Sequence, residues 1–301
     1  MIKKTLIVLF ALLAIPFLVE TRTEGFISSN LYFSLPVKID HHVSEKYNCS
    51  EKEHEEIVNQ TYRYLGKGTQ FYVFESLDNK YVIKFLRPHQ LKPKFWVHLL
   101  HFPKFLDLYR KQEILHRKQK CEKTLKACSV AFERMRERLG LKGMYLKDGS
   151  DKQLKIKSKL GHWFTIDLGS TCYIIQKKAD AFLDTALLQA RDNSTQEVEK
   201  ILDLFIEGIS FRFKHQISNT DPNVFSNFAL LDDRVVEVDF GDFFDNGELL
   251  PPPFFAHEIN RYAKSFTKWA TINAPDVLNY FDKRLKEELQ KYEKYYEEKT
   301  L

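Results

Sequence analysis

The sequence predicts an α+β chain in two lobes, the first rich in strands and the second mostly helical. Three observations lead there. Apolar residues alternate in FYVFES (71–76) and in KYVIKF (80–85), the period of strands. A long helical pattern covers roughly 105–139, and two amphipathic ones cover 179–191 and 195–214. Beyond the triple proline at 251–253 the chain reads as helix to its charged end, KRLKEELQKYEKYYEEK. Strands with one helix, followed by mostly helices, is the order of a two-lobed α+β protein.

Composition sets outer limits. The chain has 301 residues, 44% hydrophobic and 29% charged, a globular profile with room for one large domain or two. Glycine (11) is scarce beside phenylalanine (25) and tyrosine (14), and no internal period is visible. Net charge is +5, with lysine and glutamate interleaved nearly everywhere. The densest basic stretch, RKQEILHRKQKCEKTLK (110–126), lacks the interleaved aromatics that stack bases. It reads as a solvated helix face, with an anionic phosphate or lipid headgroup as the other reading, and no nucleic-acid partner is expected. Cys49, Cys121, Cys128 and Cys172 have neither C-x-x-C nor Cys/His ligand spacing. A disulfide scaffold or zinc site is therefore not expected.

Taken in order, the chain opens with MIKK and then TLIVLFALLAIPFLV (5–19), 15 residues without charge. Lysines ahead of such a run make residues 1–22 a secretory signal or short membrane anchor, a buried core helix being the alternative. The run is shorter than the roughly 20 residues of a spanning helix. The positive-inside tendency then exports the rest of the chain, or tethers it to a membrane through 5–19 if uncleaved; a cytoplasmic location is the alternative. Residues 23–60 are polar and mixed, and are expected to form a peripheral extension. The first lobe is assigned to 61–178 and the second to 179–301.

Within the first lobe, TYRYLGKGTQFYVFESLDNKYVIKFLR (61–87) reads as a β-hairpin turning at LDNK and preceded by a glycine-containing turn. The helical region follows, stopped by Gly140, and then short strands near 143–147, 153–157, 163–167 and 172–176. In the second lobe, the loop ISNTDPNVFSN leads to two short strands, FALL and RVVEVDF, joined by two aspartates.

Four stretches carry candidate chemistry. In LGKGTQFYVF (65–74), Gly66 and Gly68 would let a hairpin tip lie close over phosphates, because no Cβ keeps the backbone N–H groups away. A plain hairpin turn is the other reading. Lys84 in YVIKF could reach phosphates from beneath that hairpin, or simply point to solvent. In DPNVFSNFALL (221–231), the strand–turn–strand that follows brings Asn227 near Asp239, and their oxygens are hard ligands suited to Mg²⁺. In RVVEVDFGDFF (234–244), a strand ends on Asp-Phe-Gly, which is also an ordinary turn tripeptide.

Together, in this order, these motifs resemble the protein-kinase family over roughly 61–245. LGKGTQFYVF is similar to G-x-G-x-x-G-x-V at Gly66, Gly68 and Val73, with Phe71 replacing the third glycine. YVIKF resembles V-A-I-K. DPNVFSNFALLDDRVVEVDFG resembles H-R-D-x-x-x-x-N followed by D-F-G. YIIQKKAD (173–180) resembles the strand and hinge that offer backbone groups to adenine.

The resemblance implies ATP and Mg²⁺ as cofactors. Gly66, Gly68, Val73 and Lys84 would hold the nucleotide, Asn227 and Asp239 the metal, and Asp221 would orient an acceptor hydroxyl. Glu122, or else Glu133, would pair with Lys84. Departures accompany the match. Asp221 lies six residues before Asn227, not five, and Asn219 and Thr220 stand where histidine and arginine are expected. Only 60 residues (242–301) follow D-F-G, with no A-P-E, so the usual helical lobe must be reduced. The chain thus resembles compact, divergent kinase-like proteins, such as those of intracellular bacteria. The expected activity is phosphotransfer to a hydroxyl of an unknown acceptor. The alternative is a membrane-tethered or exported pseudokinase, a nucleotide-binding module with a protein partner.

Overall fold

Alternation in residues 61–86 produces a meander of three antiparallel strands, β1 (Thr61–Lys67), β2 (Phe71–Ser76) and β3 (Tyr81–Leu86). The computed structural model describes residues 20–37, 45–147 and 149–300, and the apolar segment 5–19 lies outside them. No helix among the described residues is long and apolar enough to cross a membrane. The chain is α+β and divides into two compact units, residues 1–122 with 141–178, and residues 123–140 with 179–301.

The first unit is built on a seven-stranded sheet. Besides the meander it contains β4 (Leu141–Leu146), β5 (Gln153–Lys157), β6 (Trp163–Asp167) and β7 (Cys172–Lys177), in the order β4-β7-β3-β2-β1-β5-β6. Side chains alternate across a sheet, and here one face is aromatic. Phe74 lies opposite Ile83, Tyr72 opposite Phe85, and Tyr145 opposite Tyr173. All six belong to the core of this unit.

The stretch 23–60, expected as a peripheral extension, contributes to that core. Phe26 packs edge-on to Tyr72 and Phe74, with ring centroids 5.3 and 5.1 Å apart. Helix α1 (Glu51–Val58), capped by Ser50 through the Glu53 N–H, buries His54, Ile57 and Val58. The His54 ring stacks on Tyr145 and its Nε2 lies 2.9 Å from the Tyr173 hydroxyl. Scattered apolar residues among charges concealed this contribution.

Between β3 and β4 run a single helical turn α2 (Pro88–Leu91), a 3-10 helix (Phe95–Leu99) and the long helix α3 (Lys104–Arg134). The chain leaves the first unit at Lys178, whose ammonium pairs with Glu75 at 2.7 Å.

The second unit begins with β8 (Ala181–Phe182) and contains helices α4 (Leu183–Asn193) and α5 (Thr195–Lys214), then β9 (Ile217–Asn219). A one-turn helix α6 (Val224–Asn227) precedes β10 (Phe228–Leu231), β11 (Arg234–Glu237) and β12 (Phe243–Asp245). Helices α7 (Pro252–Asn273) and α8 (Leu278–Thr300) close the chain. The triple proline starts α7. Pro251 is its N-cap and Pro252 its first residue, where a missing N–H costs nothing.

Its sheets are small: β11-β10-β8 and β12-β9, both antiparallel. Apolar faces of α4, α5, α7 and α8 converge on one core that includes Phe205, Phe213, Phe255, Phe266, Phe281 and Tyr292. Helix α5 lies directly on β11: a Cβ on Gly208 would stand 2.9 Å from the Val235 carbonyl oxygen.

Candidate functional site

The strand pair β10–β11 places the candidate residues of the second unit. A two-residue turn at Asp232-Asp233 joins the strands, with Asp232 at φ 54°. Phe228 lies opposite Glu237, so the residues just before and just after the pair, Asn227 and Val238, are neighbours. The Val238 N–H donates to the Asn227 carbonyl at 2.7 Å. Asp239 therefore follows directly on a backbone anchored to Asn227. Its Oδ1 accepts from the Gly241 N–H at 3.1 Å, and Phe240 is buried.

Asp221 is joined to the same group. Its Oδ2 accepts from the Asn227 side-chain amide at 2.9 Å, and its Oδ1 accepts from the Asn223 N–H at 3.1 Å. The Ser226 hydroxyl donates to Asn227 Oδ1 at 3.0 Å. The extra residue between Asp221 and Asn227 is absorbed by the single turn α6, which leaves the two side chains in contact.

What holds the backbone of Asn219 and Thr220, ahead of Asp221, was not legible from the sequence. Arg261, on α7, donates to the carbonyls of both Asn219 (3.1 Å) and Thr220 (2.9 Å). It also binds Glu258 at 2.9 Å. Behind this grip lies Arg212, wholly buried on α5. Its Nε is 2.7 Å from Glu237, its Nη2 donates to Glu258 and Tyr262 at 3.0 Å, and its Nη1 donates to the Ile217 carbonyl at 3.0 Å.

Burial opposes a charge on Arg212, but Glu237, Tyr262 and Glu258 outweigh it and hold the guanidinium above its ordinary range. Burial likewise pushes the Glu237 carboxyl up to about 7, against the pull of Arg212. The network ties α5, α7, β9 and β11 to the Asp221 loop. The segment after Gly241 is tied as well. Lys123 pairs with Asp242 at 2.9 Å, Arg134 pairs with Asp245 at 2.6 Å, and the Thr220 N–H donates to the Asp242 carbonyl.

The remaining candidates, Glu133 excepted, lie in the first unit. Lys84 is buried on β3, opposite Val73 on one side and Ile174 on the other. Strand alternation puts these three on the face of the sheet away from the aromatic core. Gly66 sits just after a bulge in β1, and the Gly68 N–H closes the hairpin on the Phe71 carbonyl at 2.9 Å. A Cβ on Gly66 would meet nothing within 4 Å. Arg87 braces this tip: its guanidinium donates to the Gly68 carbonyl and lies 5.1 Å from the Tyr72 ring centroid.

The structure does not bring Glu122 to Lys84. Its side chain is 54% exposed and lies 3.9 Å from Lys118, one turn back. The buried stripe of α3 runs through Cys121, Thr124 and Cys128, and Glu122 sits about 100° off it. Glu133, the second candidate, belongs to the second unit and is exposed.

All four cysteines are free thiols. Burial pushes Cys121 and Cys172 up to about 12, which makes them unreactive. Among the described residues no cluster of three or more His, Cys, Asp or Glu could hold a metal ion.

No protein-family profile and no curated protein matches the chain. Solved structures do. One is the bifunctional kinase-methyltransferase WbdD, 14% identical over 65% of this chain and 34% of that one, TM-score 0.32. A second WbdD structure is 11% identical over 68% and 37%, TM-score 0.34. Another is the Rv3197–erythromycin complex from Mycobacterium tuberculosis, 12% identical over 92% of this chain and 74% of that one, TM-score 0.34. The chain thus spans about a third of the length of the WbdD chains it matches. None of these matches bears on the organism of origin, and identities this low leave the reading of the site to the chain's own residues.

Proposed function

We propose that the chain is a kinase-like phosphotransferase that binds ATP with Mg²⁺ and transfers a phosphoryl group to the hydroxyl of an acceptor. The observation that carries this reading is the Asp221–Asn227–Asp239 arrangement. A side-chain bond joins the first two, and the Asn227 carbonyl holds the backbone that leads into Asp239. The Asp221 and Asn227 side chains would act together with the Asp239 carboxylate that follows on this anchored backbone.

The donor set fits Mg²⁺. Asn227 Oδ1 and the Asp239 carboxylate are hard oxygen ligands, and two protein ligands suffice for an ion that completes its shell with phosphate and water. Bound there, the ion would offset charge on the phosphates. The other roles fall to residues of the chain. Each Asp221 oxygen accepts one bond and retains capacity to receive an acceptor's O–H. The Lys84 ammonium would anchor phosphates. Gly66, whose missing Cβ serves no packing inside the chain, would admit phosphates close to the backbone. Positioning and charge neutralisation would then supply most of the rate.

A nucleotide-binding pseudokinase, exported or tethered through residues 5–19, is the second reading. The Asp221 carboxylate favours it, since it is already engaged by Asn223 and Asn227.

Thermal unfolding of the full chain with ATP tests the proposal, because a ligand that binds only the folded state raises the melting temperature. The expected result is a Mg²⁺-dependent rise that Asp239→Ala abolishes. Asp221→Ala should keep the rise and lose ATP turnover. A rise without turnover in the unaltered chain would select the pseudokinase, and no rise at saturating nucleotide would overturn both readings.

A further inference from the structure

We propose that residues 95–109 form a surface that lies in the headgroup layer of an anionic lipid membrane. The segment turns its large apolar side chains outward. Phe95 is 80% exposed, Leu99 71%, Phe102 87% and Phe105 69%, with Trp96, Leu108 and Tyr109 also exposed. They are not isolated: Phe105, Leu108 and Tyr109 fall at i, i+3 and i+4, one face of the first turns of α3. That face is apolar where a surface helix is ordinarily polar. Buried Leu91 and Val97 dock the segment onto the chain, so its outward face is held in place. Contiguous exposed apolar surface of this kind marks an interaction site.

Charge selects the occupant. Between residues 88 and 112 stand Lys92, Lys94, Lys104, Arg110 and Lys111 against the single carboxylate of Asp107. That carboxylate is itself paired with Arg110 at 2.6 Å and Lys111 at 2.8 Å. Aromatic rings mixed with lysines suit the water–lipid boundary, where rings sit at headgroup depth and ammonium groups meet lipid phosphates and carboxylates. A second copy of the chain would set the same cations against each other across a twofold interface, which disfavours it. Leu99 and Leu108 offer nothing to a nucleic-acid base, so stacking on single strands fits less well than lipid.

The test uses the full chain carrying Trp163→Phe and Trp269→Phe, which leaves Trp96 as its only tryptophan. Vesicles of phosphatidylcholine, with or without phosphatidylserine, some with brominated acyl chains, serve as probes. On phosphatidylserine vesicles Trp96 emission should shift to the blue and be quenched by bromine. Phe95→Ser/Phe102→Ser/Phe105→Ser should weaken partitioning by at least about tenfold, from the apolar area lost. Because these side chains are exposed, that variant should melt at the same temperature as its parent. Lys92→Gln/Lys94→Gln/Lys104→Gln should lower the preference for phosphatidylserine by about fivefold per lysine.

The proposal fails if the chain binds vesicles through residues 5–19 alone, which leaves Trp96 unquenched and the triple serine variant binding equally well. It fails equally if the triple serine change dissolves a dimer without affecting vesicle binding, or if Trp96 responds to single-stranded DNA and not to lipid.

Discussion

The Asp221 loop and the Gly66–Phe71 hairpin are held in very different ways. The loop rests on a buried lattice of ions: Arg212, Glu237, Glu258 and Tyr262 at its base, and Arg261 gripping its carbonyls. The hairpin tip is held by backbone bonds, from the Gly68 N–H to Phe71 and from the Arg87 N–H to Gln70, and by the Arg87 guanidinium on the Gly68 carbonyl. In a phosphotransferase this division has a physical logic. Groups that align charge must be preorganised, whereas a covering loop must admit and release its ligand.

The largest expected effect comes from breaking the lattice. Arg212→Met leaves Glu237 and Glu258 buried without their shared cation, at a cost of about 3–5 kcal/mol. Denaturant unfolding should report that loss, together with disappearance of any nucleotide-induced stabilisation.

Titration sharpens the same side of the comparison. Burial raises the Glu237 carboxyl to about 7 in the folded chain, above its unfolded value, so the folded state binds more protons between those two pH values. Stability from this group is therefore full below about pH 4.5 and is lost as pH rises from there through about 7. Relative to Glu237→Gln, which does not titrate, the unaltered chain should lose melting temperature from pH 5 to pH 8. A parallel pair of curves would refute it.

On the hairpin side the effects are smaller. Arg87→Ala removes the brace and should cost about 1–2 kcal/mol, with amide exchange of residues 66–71 rising while that of residues 219–221 stays slow. Gly66→Ala is the smallest: stability should stay within about 0.5 kcal/mol, because the new methyl meets nothing in the chain. ATP affinity should nevertheless fall several-fold, as read by calorimetry. An unchanged affinity would remove the hairpin from the proposed site.

Much of this was legible in the sequence. Alternation located β2 and β3, and with it the face of the sheet that carries Lys84. The short strands around Asp239 were legible too, because a two-residue turn fixes their register and so the approach of Asn227. The contact between Asp221 and Asn227 depended on a single turn of helix that no spacing rule reveals. Arg212 and Glu258 were hidden for a different reason. They are 46 residues apart, and a charge at helical spacing looks the same whether it faces water or a partner. One signal was present in FIEGISFRFK, where Arg212 stands between Phe211 and Phe213. Glu122 failed to meet Lys84 for the converse reason. Distance along the chain suggested it, but helical phase turned it to solvent.

The last helix has a consequence for how the chain is made. Tyr292 packs against Phe213 and Phe255, and its hydroxyl donates to the Leu250 carbonyl, while Arg284 binds Asp203. The first unit's core draws on residues no later than Ile175. At synthesis rates of about 5–20 residues per second, the stretch from there to Tyr292 takes roughly 6–23 s to emerge. During that interval the apolar faces of α5 and α7 lack their final partner. The nascent chain thus carries a finished sheet while its helical bundle is still open, and the bundle's exposure to aggregation lasts until α8 has emerged.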